Sequence, residues 1–137
     1  MSNAKLAIHS ERPGVKAAAR DGGVELARRL LKFAASVVKL VDRLPKTTAG
    51  RHIAGQLIRS GTSPGANYEE ARAAESRADF AHKLGIVLKE LKESRFWLHL
   101  ALESGILPDS AMKDVLSECN QLCAIIAKSV PTTRSRR

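Results

Sequence analysis

The sequence predicts an all-α protein, folded as an antiparallel, up-down four-helix bundle. Three observations predict it. Apolar residues recur at three- and four-residue spacing along four long stretches, the period of a helix with one buried face. Hydrophobic residues make up 44% of the chain but aromatics only 4%, so the core must be built from Leu, Ile, Val and Ala, which suits helices better than sheets. The stretches are joined by short connections at 44–48 and 104–109, which favour antiparallel neighbours. No Val/Ile/Thr/Tyr alternation marks a strand. At 137 residues the chain fits a single domain, divided into a flexible basic arm (1–23), the bundle (24–130) and a basic tail (131–137).

The arm mixes charge with Pro13, Gly14 and Gly22–Gly23, and a short helix is expected in it around Lys16–Arg20. The first bundle helix is expected from Val24 to Arg43. Leu26, Leu30, Leu31, Phe33, Ala34, Val37, Val38, Leu40, Val41 and Leu44 fill one broad apolar arc. Arg28, Lys32, Lys39 and Arg43 gather within roughly 60° on the opposite side. Leu44-Pro45 ends the helix, because proline disfavours a helical residue before it.

The second segment covers about Thr47 to Ala74, with Ile53, Leu57, Tyr68 and Ala71 on one face. Gly61-Thr62-Ser63-Pro64-Gly65 allows two readings. Ser63 can cap a new helix opening at Pro64, or one long kinked helix can run through, its small residues admitting a neighbour. The third helix begins at Ser76-Arg77-Ala78-Asp79, a capping box with Asp in place of Glu, and ends at Gly105. Its stripe is Phe80, Leu84, Val87, Leu88, Leu91, Leu98 and Leu102. Ile86, Phe96, Trp97 and Leu100 lie toward a different side, which points to a subunit interface. Pro108-Asp109 opens the fourth helix, with Met112, Val115, Leu116, Cys119, Leu122, Cys123, Ile126 and Val130 inward.

The formal charge is +9, and it is uneven. Residues 24–60 carry eight basic and two acidic side chains, a net of +6, whereas 61–130 carry eight and ten, a net of −2. Such a surplus favours polyanions. Arg28, Lys32, Lys39 and Arg43, extended by Lys46, Arg51 and Arg59, are therefore the candidate nucleic-acid surface, for RNA or DNA. Aromatic residues are not interleaved with them, so contact through the phosphate backbone is expected. The competing reading is a solvated outer face, or a scaffold whose basic face meets an acidic protein.

Asn67, Glu70 and Arg95 are expected to form a structural polar network across the bundle, Arg95 needing a carboxylate if buried. Cys119 and Cys123, four apart, are poorly placed to bridge each other and read as reduced core thiols of a cytoplasmic protein. His9, His52, His82 and His99 are scattered, with no His-Glu-x-x-His pattern. No phosphate loop or nucleophile elbow is present. No enzyme activity, metal, cofactor or membrane span is expected.

One resemblance joins these pieces. Leu44-Pro45-Lys46, Leu57-Ile58-Arg59-Ser60, the run Ser63-Pro64-Gly65-Ala66-Asn67-Tyr68-Glu69-Glu70-Ala71, then Ser76, Asp79-Phe80, Lys83-Leu84 and Leu88 through Leu98 together resemble the four-helix-bundle family named after the protein encoded in intervening sequences of bacterial 23S ribosomal RNA genes. The chain departs from the commoner pattern at Pro64 and Ala71. The resemblance implies a left-handed antiparallel bundle and a ring-like homopentamer. It extends to the accessory variability determinant of diversity-generating retroelements, and so implies nucleic acid and a reverse transcriptase as partners.

Overall fold

A computed structural model of the chain describes the backbone of residues 23–135 and the side chains of residues 23–130. The expectations for the arm, and for side chains of the tail, lie outside the described residues. Four helices follow in order: α1 (Val24–Val41), α2 (Thr48–Arg72), α3 (Arg77–Glu103) and α4 (Asp109–Ser135). No strand occurs among the described residues. α4 therefore runs past Val130 into the segment assigned to the tail.

Several boundaries have a local cause. The Thr47 side chain accepts from the Gly50 N–H at 3.0 Å at the start of α2, and Ser76 accepts from the Asp79 N–H at 3.0 Å at the start of α3, each satisfying a donor that the first helical turn leaves free. Gly105, at φ 71°, closes α3 in the left-handed conformation that glycine adopts without steric cost. α1 stops at Val41, two residues before the expected end, and Arg43 and Leu44 continue as a turn bonded back to Leu40 and Val41.

α2 is continuous through Pro64, which is buried inside it. An interior proline removes one backbone hydrogen bond, at a cost of ~3 kcal/mol or more. Neighbouring side chains bond back to the helix on both sides of the proline. Thr62 Oγ1 donates to the Ile58 carbonyl at 2.6 Å, and Asn67 Nδ2 donates to the Ser63 carbonyl at 3.0 Å. The small residues in this stretch do admit a neighbour: the Val37 side chain lies directly over Gly61, and the Leu30 backbone runs beside Gly65.

The core is the set of inward stripes. Leu30, Val37, Leu57, Leu84, Val87, Leu91, Leu98, Met112, Leu122 and Ile126 are fully inaccessible to solvent, and Phe33 and Tyr68 nearly so. Each such side chain contributes ~1.5–3 kcal/mol on leaving water. Leu31 and Val38 correct the expected α1 arc, being 69% and 43% exposed. Each follows a residue packed against α2, and the next 100° step of the helix carries it outside that contact. Ile58, three residues before Gly61 on α2, is also exposed. These three residues line the outer edge of the α1–α2 seam.

Candidate functional site

Polar contacts between helices set which charges stay free. Arg29 on α1 reaches α4: its Nε and Nη2 donate to Glu118 at 2.9 and 2.8 Å, and Nη2 also to Gln121 at 3.1 Å. The pair is only partly exposed, and the hydrogen bond to Glu118 raises the guanidinium pKa further. Arg59 on α2 reaches α3, where it donates to Glu90 at 3.1 Å and to Glu93. Glu93 in turn accepts from the Trp97 indole N–H at 3.1 Å. These two hydrogen bonds, the Arg59 one first, hold the Glu93 carboxyl below the usual glutamate range.

The candidate cations therefore divide. Arg28, Lys32 and Lys39 are exposed on α1, Arg43 and Lys46 are exposed in the α1–α2 connection, and Arg51 is exposed on α2. None of these six forms an ion pair among the described residues. Arg59, predicted with them, is instead tied to two carboxylates.

The predicted polar network does not assemble. Asn67 bonds to Ser63 within α2, and Glu70 accepts from Lys83 at 2.9 Å. Arg95 is half-buried and forms no ion pair with Glu70, whose carboxylate is taken by Lys83. The inward polar position of α3 belongs to the preceding residue, Ser94. Its hydroxyl donates to Ser60 of α2 at 3.0 Å, both fully buried. That pair, with Arg59–Glu90 one residue along α2, fixes the α2–α3 register. Two inward-facing serines on adjacent helices were a usable signal for it, because buried hydroxyls must find partners.

The four residues assigned to a subunit interface spread over the outer side of α3. Phe96 is 57% and Leu100 37% exposed, while Ile86 and Trp97 are half-buried. Trp97 is held within its own chain. It packs edge-to-face with His52 of α2 at 5.5 Å and with Phe96 at 5.0 Å. His52 was not among the predicted site residues, since 45 residues separate it from Trp97.

These helices and their register find a match among known proteins. Residues 24–128 match the family described as the 23S rRNA-intervening sequence protein. The chain belongs to this family. A similar solved structure is that of a protein of unknown function from the S23 ribosomal protein family of Bacteroides thetaiotaomicron. It is 32% identical, covers 76% of this chain and 96% of its own, and superposes with a TM-score of 0.71. No curated protein gives a match.

Within this 23S rRNA-intervening sequence protein family member, the remaining candidates belong to the core or to the solvent side. Cys119 and Cys123 are unpaired and buried on the inward face of α4. Cys119 donates to the Leu91 carbonyl at 3.4 Å, and its hydrogen bond with Cys123, together with burial, pushes its thiol pKa up. His52, His82 and His99 are exposed. No cluster of three or more His, Cys, Asp or Glu side chains gathers among the described residues. No helix among them is long and apolar enough to cross a membrane.

Proposed function

We propose that this protein is a non-catalytic, self-associating bundle that binds nucleic-acid backbones without sequence preference. The surface comprises Arg28, Lys32, Lys39 and Arg43, extended by Lys46 and Arg51. One observation carries the reading. Of the eight cations in residues 24–60, Arg29 and Arg59 are bound to carboxylates of other helices, and the other six are exposed without such partners. A phosphate backbone supplies the missing counter-charge and releases its condensed ions on binding.

Self-association is part of the same proposal. Leu31, Val38 and Ile58 give each copy an apolar edge to cover, and the family resemblance implies a ring-like homopentamer. A ring would repeat the basic face and turn weak contacts into avidity. The buried, unpaired thiols suit a reducing compartment such as the cytoplasm.

A salt titration of binding to labelled RNA and DNA tests the surface, with Arg28→Ala, Lys32→Ala, Lys39→Ala and Arg43→Ala combined in one variant. Wild-type affinity is expected to fall steeply with salt. The variant should bind more weakly, and on duplex DNA its slope should be shallower by as much as ~0.9 for each phosphate that it no longer neutralises. Equal binding by a folded variant refutes the assignment. No binding by the wild type at low salt refutes nucleic acid and favours an acidic protein partner. Light scattering tests assembly: a solution mass of one chain refutes the ring.

A further inference from the structure

The sequence shows no aromatic residue among the cations, yet the fold builds an aromatic cluster around His52, the neighbour of Arg51 in sequence. His52, Trp97 and Phe96 interlock edge-to-face where the start of α2 meets the last turns of α3. Trp97 is the single tryptophan of the chain. Phe96 and His52 are exposed, although an exposed phenylalanine gains nothing from hydration.

The cluster is also braced. Arg59 holds Glu93, and Glu93 holds the indole N–H at 3.1 Å. The indole is therefore held in one orientation, and a partner stacking on it costs less further ordering. Arg51, adjacent to His52 in sequence and exposed, carries no carboxylate partner among the described residues. The free cations of the α1–α2 connection lie at this same end of the bundle, since His52 sits four residues into α2.

Exposed aromatic rings at the same end of a bundle as unpaired cations are a combination that single-stranded nucleic acid uses. Bases stack on the rings while the backbone follows the positive charge, and the contact tolerates any base. We infer that the His52–Trp97–Phe96 cluster is a stacking platform for one or two unpaired nucleobases, with the strand's phosphates led toward Arg51. The inference rests on the nucleic-acid reading above and narrows it to single strands. It also gives Phe96 and Trp97, which the sequence suggested as subunit contacts, a different partner.

The test compares a short oligothymidylate with an abasic strand of equal length, so that phosphates are constant and only bases differ. Trp97 emission and strand anisotropy are read on the full chain at low salt. The base-bearing strand should quench Trp97 and bind about tenfold tighter per stacked base. Phe96→Ala and His52→Ala, both at exposed positions, should erase that difference while leaving abasic-strand affinity unchanged. Equal binding of the two strands without quenching overturns the platform and leaves the backbone reading standing. Failure of both strands to bind overturns the two together. A drop in solution mass on Phe96→Ala overturns the platform in favour of a subunit contact.

Discussion

Four glycines of α2 differ sharply in the space around them, and alanine substitution reads that space. In an exposed helix interior Gly→Ala stabilises by ~0.8–1 kcal/mol. At Gly55 an added Cβ meets nothing within 4 Å, so the whole gain is expected. At Gly65 it meets Leu30 at 3.7–3.8 Å, ordinary contact, and the gain should persist. At Gly61 it would stand 2.8 Å from both Val37 methyls, about 1 Å inside a normal carbon–carbon distance. Overpacking of that kind costs ~1–3 kcal/mol, so the net effect runs from neutral to about 2 kcal/mol destabilising. At Gly50 the Cβ would lie 2.0 Å from the Pro45 carbonyl oxygen. That atom belongs to the backbone of the α1–α2 turn, and the loss should be the largest of the four. Urea denaturation followed by circular dichroism, at one fixed protein concentration, gives the order. Stability should fall from Gly55→Ala and Gly65→Ala, through wild type, to Gly61→Ala and then Gly50→Ala. Adding Val37→Ala to Gly61→Ala should cost less than the two single effects summed, because the clashing methyls are gone. If Gly61→Ala is as stable as Gly55→Ala, α1 does not pack on α2 in this register.

Three further outcomes follow from the polar contacts. Ser94→Ala should destabilise by ~1–2 kcal/mol by leaving the Ser60 hydroxyl buried without its partner, whereas the double variant with Ser60→Ala should recover most of the loss in the same denaturation assay. Arg29→Ala should cost about 1 kcal/mol or less, its pair with Glu118 being partly solvated, and a double-mutant cycle with Glu118→Ala isolates the interaction. The Glu93 carboxyl is held below its ordinary value, so its stabilising contribution is complete above the ordinary glutamate pKa of ~4.3 and is lost as pH falls through the lower folded value. Acid titration of Trp97 emission should show that step and Glu93→Gln should remove it; an unchanged profile in the variant contradicts the assignment.

The helices were legible because their signals are local. Thr47, Ser76 and Gly105 mark ends through bonds or dihedrals within a turn of themselves, and the inward stripe of α4 follows from its own spacing. Errors arose where a position depends on the neighbouring helix. Leu31 and Val38 extend an apolar arc that is wider than the surface α2 covers, and sequence alone gives the arc but not the cover. Arg95 and Ser94 differ by one 100° step, and the register of α3 against α2 decides which of them faces inward. The same register carries His52 to Trp97 and Arg59 to Glu93, so the aromatic cluster has no trace in either segment taken alone.

That register also bears on the choice between a solvated face and a binding face. A face selected only for solubility mixes both signs, as α2 and α3 do with Glu69–Arg72 and Glu70–Lys83. The outer side of α1 and its following turn is instead weighted to one sign, with Arg28, Lys32, Lys39, Arg43 and Lys46 against Glu25 and Asp42. Glu118 of α4 is directed to Arg29, and Glu90 and Glu93 of α3 to Arg59, and both arginines knit helices together. Arg28, Lys32, Lys39 and Arg43 are left to repel one another, a cost modest at physiological salt because exposed charges are screened beyond about 8 Å. The cost grows if copies gather in a ring and bring several such faces together. An assembly of that kind is easiest to hold when a polyanion occupies the face, so under the proposed function self-association and nucleic-acid binding would reinforce each other through the same four side chains.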